Sequence, residues 1–226
     1  MNAYFITATG TEIGKTLVTC TLAAQLRQRG DAVRAIKPVV SGYPDPDGMG
    51  DPELLLRAQG VEITPETIAA ISPWRFKAAL SPELAAREED KKVAFEEVEA
   101  FCRNAMVEEN GYLLIEGAGG VLSPLTENHT HRDLIQALGI PAILVIGSYL
   151  GTITHTLTAL EALAVKNISV QGLVVNASDG DAEAMEQTLD MLQRFAPPEI
   201  PVRIIPRLDF AEEIWEHVPD ITSLTG

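Results

Sequence analysis

The sequence predicts a single α/β domain whose mostly parallel central sheet is covered by helices on both faces. Short apolar runs rich in β-branched residues alternate along the chain with longer stretches that carry apolar residues at helical spacing. Some of these runs, such as residues 112–115 and 142–146, are apolar throughout, as expected of strands buried on both faces. Such alternation is typical of parallel strands joined by crossover helices.

The predicted strands are short and end beside glycine, proline or polar residues. The strand that begins at residue 32 is interrupted by Pro38, which has no N–H for a central ladder, so we expect it to end near Lys37. Residues 74–76 are expected to form an irregular connection. The predicted strands cover residues 4–7, 32–37, 112–115, 142–146, 170–175 and 202–205.

The predicted helices lie between these strands. Two of them open with proline near the first helical position, at Pro65 and Pro82. A dense set of turn formers predicts a long irregular loop over residues 41–52. The predicted helices cover residues 17–29, 53–58, a segment starting at 64, then 81–87, 95–107, 134–138, 152–166 and 182–195.

The length and composition suit one globular domain over residues 1–226. The chain has 226 residues, 46% of them hydrophobic, which is enough for a sizeable core. No apolar run approaches the roughly 20 residues that a membrane helix needs. The first residues resemble a strand rather than a basic and apolar leader, so we expect a cytoplasmic protein.

The charge balance is strongly acidic. Seventeen basic residues against 32 acidic ones give a formal net charge of −15, which disfavours nucleic acids and anionic membranes as partners. Cys20 and Cys102 are the two cysteines, and both fall inside helical patterns without metal-ligand spacing. We expect both to be reduced and buried.

A phosphate-binding loop is predicted between the first strand and the first helix. Its sequence is Thr9-Gly10-Thr11-Glu12-Ile13-Gly14-Lys15-Thr16, which differs from the usual spacing in having Thr9 where the first glycine is expected. Glycines let successive N–H groups face an anion, and the following helix presents its positive end. Lys15 would reach the β- and γ-phosphates, and the Thr16 hydroxyl would face magnesium.

Polar groups also follow other predicted strands, where ligands of parallel sheets bind. Glu116 follows an apolar strand, where an acid would orient magnesium, and Asp51 is a second candidate on its loop. Lys37 also ends a strand, so it either extends along apolar surface to reach water or faces an anion. Gly151 and Thr152 open a helix whose free N–H groups suit a carboxylate.

His129 and His131 lie two residues apart in a polar stretch. A zinc site would need further ligands nearby, and the sequence around them offers none. We therefore expect both histidines to belong to a solvated loop.

Taken together, these segments resemble the dethiobiotin synthetase family. The resemblance covers most of the chain and rests on the phosphate loop and on several further short motifs. These are Lys37-Pro38-Val39-Val40-Ser41-Gly42, Ser81-Pro82, Glu116-Gly117-Ala118-Gly119-Gly120, Leu150-Gly151-Thr152 and Val174-Val175-Asn176. It implies a P-loop NTPase-like fold, a homodimer, ATP, magnesium, and addition of carbon dioxide to 7,8-diaminopelargonic acid.

The resemblance also implies roles for individual residues. In the reaction, Lys37 and Thr11 would hold a carbamate, Ser41 would orient it and Lys15 would neutralise phosphates. Magnesium would be held by Thr16, Asp51 and Glu116. ATP would contact Glu12, Ile13, Gly14, Lys15, Thr16 and Asn176, with Pro206, Arg207 and Leu208 against the base. The substrate would contact Ser41 and Gly117, and its carboxylate would contact Gly151, Thr152, Ile153 and Thr154.

The chain departs from the family pattern at three positions, and three other classes of protein are alternatives. The chain has Ala8, Gly10 and Thr154 where the family commonly has other residues.

A partitioning-type ATPase would carry an additional lysine early in the phosphate loop, which is missing here. An amidoligase fed by a glutaminase would need a cysteine nucleophile with a histidine, and none follows Asn176. A non-catalytic nucleotide-binding module would leave Lys37 and Glu116 without a purpose.

Overall fold

A computed structural model describes residues 2–43, 49–108, 111–177, 182–208 and 213–226 of the chain. In chain order its strands are β1 (Asn2–Ala8), β2 (Val33–Ile36), β3 (Val39–Ser41), β4 (Trp74–Phe76), β5 (Tyr112–Glu116), β6 (Ala142–Gly147), β7 (Val170–Asn176) and β8 (Val202–Ile205). Over the described ranges, six of them form one parallel sheet in the order β2-β5-β1-β6-β7-β8. The predicted parallel sheet is confirmed.

Helices connect the strands of this sheet. They are α1 (Lys15–Gln28), α2 (Asp51–Gln59), α3 (Pro65–Ile71), α4 (Pro82–Glu88), α5 (Phe95–Glu108), α6 (His131–Leu138), α7 (Thr152–Ala164) and α8 (Ala182–Phe195). Short 3-10 turns at Ile214–His217 and Thr222–Thr225 follow β8. Every residue of β5 and β6 is buried. Because successive side chains of a strand point to opposite faces, both faces of these strands are covered, as the sequence predicts.

The carboxyl ends of the strands bring the polar residues together. β1 runs between β5 and β6, with Ile6 in register with Glu116. Ile36, the last residue of β2, is in register with Ile115, so Lys37 follows beside Glu116. Asn176 ends β7 and is in register with Gly147 of β6. The phosphate loop, Lys37, Glu116 and Asn176 therefore lie along the same edge of the sheet.

The expectation that residues 74–76 form an irregular connection is wrong. They form β4, which pairs in parallel with β3, and Trp74 N–H donates to Pro38 O at 3.2 Å. Pro38 ends β2 as predicted, and the chain then continues into this separate ladder. A strand of three residues is too short to show an alternating pattern in the sequence.

Three helices begin earlier than the sequence predicts, and one of them is α1, which begins at Lys15 rather than at residue 17. α2 begins at Asp51, which therefore lies in a first helical turn rather than in the predicted loop. α6 begins at His131, after Thr130 and with Asp133 closing a capping box, so His131 is helical rather than part of a loop. Residues 44–48 of the predicted long loop lie outside the described residues.

Cys20 and Cys102 are buried free thiols, as predicted. Burial raises the pKa of the Cys102 thiol to about 12, and that of Cys20 well above its usual range. Both therefore stay protonated and act as small apolar residues. Separately, no helix in the described ranges combines the length and apolar character needed to cross a bilayer.

Candidate active site

The phosphate loop joins β1 to α1 with unusual backbone geometry. Glu12 has φ of 58° and Gly14 has φ of 98°, both in the left-handed region. A non-glycine residue in this region is uncommon and marks a conformation that the surroundings impose. Gly14 precedes the first turn of α1, and Val18 N–H donates to its carbonyl at 3.1 Å. The positive end of α1 therefore faces the loop.

Asn176 fixes the end of this loop from the opposite side. Its Nδ2 donates to the carbonyl of Ile13 at 3.0 Å. A Cβ added to Gly14 would lie 2.2 Å from the same Nδ2. Gly14 is thus required both by its positive φ and by the close approach of Asn176.

A buried cluster of charged groups lies beside the loop. Lys37 Nζ lies 2.7 Å from Glu116 Oε1 and also donates to Asp51 Oδ2. Thr16 Oγ1 donates to the same Glu116 Oε1 at 2.8 Å. The side chain of Glu116 is fully buried, that of Lys37 is 7% exposed and that of Asp51 is 37% exposed. Lys37 therefore faces carboxylates of the protein itself rather than extending to water, and the expectation that it also faces a bound anion stays a prediction.

The pKa values of the cluster favour the charged forms of Lys37 and Asp51. Burial opposes the charge on Lys37, but the carboxylates of Glu116 and Asp51 raise the pKa of Lys37 above its ordinary value. Burial likewise opposes the Asp51 charge, but Lys37 holds the pKa of that carboxyl below its usual range. Burial lowers the pKa of the nearby Lys15 to about 8. The two lysines thus differ: Lys37 is neutralised by acids, whereas Lys15 has positive charge to offer an anion.

The oxygen atoms of this cluster suit a magnesium ion. Glu116 Oε2 is buried without a hydrogen-bond partner among the described residues, as expected of a carboxylate oxygen whose partner would be a bound cation. Magnesium is commonly held by one or two carboxylates together with phosphates and water, and Thr16, Asp51 and Glu116 offer a hydroxyl and two carboxylates. In the described part of the chain, no group of three or more His, Cys, Asp and Glu side chains forms a metal site.

A cavity of about 650 Å³ opens over the cluster and the loop. The predicted site residues that line it are Thr11, Glu12, Gly14, Lys15, Thr16, Lys37, Ser41 and Asp51. Its opposite wall contains Ala118, Gly119 and Ser123, which the sequence analysis did not assign to the site. The glycine-rich stretch after Glu116 was the available signal for this wall. The structure thus brings together the residues predicted for phosphate, metal and carbamate.

His131 supports the opposite wall, so the expectation that it belongs to a solvated loop is wrong. It is 3% exposed, and its Nε2 accepts the N–H of Ala118 at 2.9 Å. Nδ1 lies 3.2 Å from the carbonyl of Ser123 and must carry the proton that is donated there. Burial lowers the pKa of His131 to about 4. His131 is therefore a neutral residue that ties two parts of the wall together.

Other predicted site residues do not line this cavity. Gly117 is buried, and a Cβ there would lie 2.8 Å from His131 Cδ2. Gly151, Thr152, Ile153 and Thr154 open α7, where Thr152 Oγ1 donates to the carbonyl of Gly147 at 2.6 Å. Pro206, Arg207 and Leu208 follow β8, and neither Ile13 nor Glu116 is among the residues that line the cavity. Their roles stay predictions.

Comparison with known proteins places the chain in a family. A family model described as an AAA domain matches residues 2–215. ATP-dependent dethiobiotin synthetase BioD of Acidiphilium cryptum is 43% identical over 196 residues, which are 86% of this chain and 88% of that protein. The protein of the same name from Methylobacterium nodulans is 44% identical over 202 residues, 87% of this chain and 90% of that protein.

Solved structures show the same fold at low sequence identity. The MinC:MinD cell division protein complex of Aquifex aeolicus matches with a TM-score of 0.59 and 13% identity, over 96% of this chain and 86% of that one. A ParA family ATPase from Chlorobium tepidum matches with a TM-score of 0.55 and 11% identity, over 99% of this chain and 88% of that one. These likenesses confirm a P-loop ATPase fold. Because its sequence relatives at 43% and 44% identity span most of both chains, the protein belongs to the ATP-dependent dethiobiotin synthetase family of enzymes.

Proposed function

We propose that the protein closes a ureido ring on 7,8-diaminopelargonic acid, using carbon dioxide, ATP and magnesium, and so makes dethiobiotin. The observation that carries this proposal is the placement of Lys37 in one cavity with the phosphate loop and with Asp51, which also contacts it. A protein that only bound a nucleotide would have no use for a second buried lysine facing the same cavity.

ATP would bind along the phosphate loop. The left-handed backbone at Glu12 and Gly14 is of the kind that lets successive N–H groups face one anion, and Lys15 would add a cation. The proposed adenine contacts are Asn176, Pro206, Arg207 and Leu208. Asn176 supports this assignment because it already contacts the loop through Ile13.

Magnesium would be held by Thr16, Asp51 and Glu116. The ion would neutralise charge on the transferred phosphoryl group. The buried, unpartnered Oε2 of Glu116 supports this assignment. Thr16 is the second residue of α1, directly after Lys15, so the turn proposed to bind phosphate would also present a hydroxyl to the metal.

Lys37 and Thr11 would hold a carbamate formed on the diamine, with Ser41 orienting it. A substrate amine adds to carbon dioxide, loses its proton and becomes a carbamate anion. An ammonium has three N–H donors, and Asp51 and Glu116 accept two of those of Lys37. The remaining donor is available to a carbamate oxygen, and Thr11 and Ser41 line the same cavity.

Ring closure then follows by phosphoryl transfer and displacement. A carbamate oxygen attacks the γ-phosphorus, ADP leaves, and a mixed carbamic-phosphoric anhydride results. The second amine attacks the carbonyl carbon, and inorganic phosphate leaves as the ring closes. Both intermediates are anionic, so positioning and charge stabilisation by Lys15 and Lys37 supply the catalysis, without a protein nucleophile.

The carboxylate of the substrate would be bound by backbone N–H groups of Gly151, Thr152, Ile153 and Thr154, with Gly117 near the substrate. The first turn of α7 supports this role, because the N–H groups of Ile153 and Thr154 have no acceptor within the helix, whereas that of Thr152 donates to the carbonyl of Tyr149 at 3.0 Å. We also propose a cytoplasmic homodimer. We place the interface at this end of α7, where it would cover Leu150, which is fully exposed and directly precedes these residues.

Mass spectrometry can test the proposed reaction directly. Purified protein is incubated with 7,8-diaminopelargonic acid, bicarbonate, ATP and magnesium, and the cyclic urea is sought among the products. We expect one urea and one phosphate per ADP, and heavy carbon from labelled bicarbonate in the ring. Steady ATP hydrolysis without urea would contradict the proposal and favour a partitioning-type ATPase.

A further inference from the structure

Glu53 is a buried carboxylate close to the cavity that the proposed reaction does not use. It lies in the first turn of α2, two residues after Asp51, and is 7% exposed. Its Oε2 accepts the N–H of Gly50 at 3.0 Å, and its Oε1 accepts the hydroxyl proton of Tyr43. Both oxygens are therefore engaged, one by the start of α2 and one by a residue beyond β3.

Tyr43 is in turn fixed to the ladder of β3 and β4. Its N–H donates to the carbonyl of Phe76 at 2.9 Å. The guanidinium of Arg75 lies 5.5 Å from the centre of the Tyr43 ring and also donates to the carbonyl of Ser72. The phenol hydroxyl is thus presented from a backbone segment that is held by a neighbouring strand.

The contact between Tyr43 and Glu53 joins two segments of the cavity wall. Ser41 ends β3 two residues before Tyr43, and Asp51 begins α2 two residues before Glu53. Both Ser41 and Asp51 line the cavity. The hydrogen bond from Tyr43 to Glu53 therefore connects the segment of the proposed carbamate contact to that of the proposed magnesium ligand.

We infer that Tyr43 and Glu53 are positioning residues, which hold Asp51 and Ser41 in place for the metal–nucleotide complex. The inference rests on the proposed function, since it concerns the same metal ligand. The side chain of Asp51 is 37% exposed, and its hydrogen bond to Lys37 engages a lysine that the reaction itself uses. The link through Glu53 fixes the backbone of Asp51 independently of that lysine.

If Glu53 only stabilised the start of α2, its loss would lower the stability of the fold without a specific effect on metal binding. Glu53 accepts the N–H of the N-cap residue Gly50, and loss of such a contact at the start of a helix lowers its stability wherever the helix lies. Thr64 provides a matched control on α3, where its side chain accepts the N–H of Thr67 at 3.2 Å. Thr64 does not line the cavity. Thr64→Ala therefore removes a comparable cap without touching Asp51.

The test compares Tyr43→Phe, Glu53→Met, the double variant and Thr64→Ala in the full chain. Electron paramagnetic resonance measures Mn²⁺ binding in the presence of a non-hydrolysable ATP analogue, and thermal unfolding checks the fold. Loss of one hydrogen bond behind Asp51 should weaken Mn²⁺ binding about three- to tenfold in Tyr43→Phe, and at least as much in Glu53→Met. The double variant should bind no more weakly than Glu53→Met, since both act through one contact.

Several results would overturn the inference. One is Mn²⁺ binding by Tyr43→Phe within about twofold of the unmodified protein, with an unchanged unfolding midpoint. Another is an equal loss in Thr64→Ala, which would indicate a general effect of cap removal. If Glu53→Met does not fold, Tyr43→Phe and Thr64→Ala decide alone. If the unmodified protein binds neither the ATP analogue nor Mn²⁺, the proposed function fails and the inference fails with it. If the unmodified protein binds both and the variants bind equally well, only the inference fails.

Discussion

Lys37 Nζ lies 2.7 Å from Glu116 Oε1, across two paired strands of the central sheet. Both side chains are almost completely buried, and the positive charge of Lys37 is compensated by the carboxylates of Glu116 and Asp51. Removing one member of a buried pair leaves an uncompensated charge, which is costly. The pair therefore places a lysine under electrostatic constraint at the edge of the sheet where the nucleotide is proposed to bind.

Lys37→Ala should lose on the order of 100-fold or more in turnover, because one preorganised donor to the carbamate disappears. The measurement is the rate of cyclic urea formation at saturating ATP. Lys91→Ala is the control, since Lys91 forms a surface ion pair with Glu89 at 2.7 Å and its side chain is 58% exposed. Turnover close to that of the control would refute the role of Lys37.

Asp51→Asn should raise the magnesium concentration needed for half-maximal activity, because a neutral amide replaces one of two carboxylates at the proposed metal site. Titration of activity with magnesium at fixed ATP measures the shift. Asp190→Asn serves as control, because Asp190 lies 3.7 Å from Arg194 on the exposed side of α8. An unchanged magnesium titration in Asp51→Asn would reject the assignment.

Much of the fold follows from patterns that the sequence displays locally. α8 has the predicted bounds, and β5 and β6 were recognisable as uninterrupted apolar runs. The strand-end residues Lys37 and Glu116 were also identifiable, because a charged side chain at the end of a buried strand needs either water or a partner of opposite charge. Parallel topology then brings such residues to one edge without further information.

The remaining features depend on tertiary contacts that leave no local pattern. The burial of His131 results from Ala118 and Ser123, which are 13 and 8 residues away in the chain. The hydrogen bond from Tyr43 to Glu53 likewise joins residues that are ten apart in the chain. Polar residues in such positions look solvated in the sequence, since their partners are set by the fold rather than by spacing.

Gly14→Ala should abolish detectable nucleotide binding, measured by titration calorimetry with ATP and magnesium. The new Cβ would meet Asn176 Nδ2 at 2.2 Å and would also strain a φ of 98°. Gly30→Ala separates these causes, because Gly30 has φ of 87° but nothing within 4 Å of an added Cβ. We expect that control to bind ATP normally while losing some stability. Normal binding by Gly14→Ala would contradict the proposed phosphate loop.

Leu150→Asp should convert the proposed dimer into monomers, because it places a charge on an exposed apolar residue at the proposed interface. Light scattering coupled to gel filtration measures the mass of each variant. Val165→Asp is the control, since Val165 is also exposed, at 76%, but lies at the other end of α7. A monomeric unmodified protein, or a dimer that Leu150→Asp leaves intact, would contradict this interface.

His131 should make the protein less stable as the pH falls. Burial, and to a lesser extent Lys15 and Lys37, lower its pKa from 6.5 to about 4 in the folded chain. The unfolded chain therefore binds the proton first, and the stabilisation present above pH 6.5 is lost as the pH falls toward 4. The slope for one such group is at most about 1.4 kcal/mol of unfolding free energy per pH unit.

The measurement is the free energy of unfolding by urea between pH 7 and pH 4, for the unmodified protein and for His131→Gln. Glutamine keeps an oxygen that accepts the N–H of Ala118 but does not titrate. Carboxylates elsewhere contribute equally to both curves, so the difference between them isolates His131. We expect His131→Gln to be the less stable protein at pH 7 and the gap to narrow steadily below pH 6.5. Parallel curves would show that His131 is protonated equally in the folded and unfolded chains, contrary to its burial against Ala118 and Ser123.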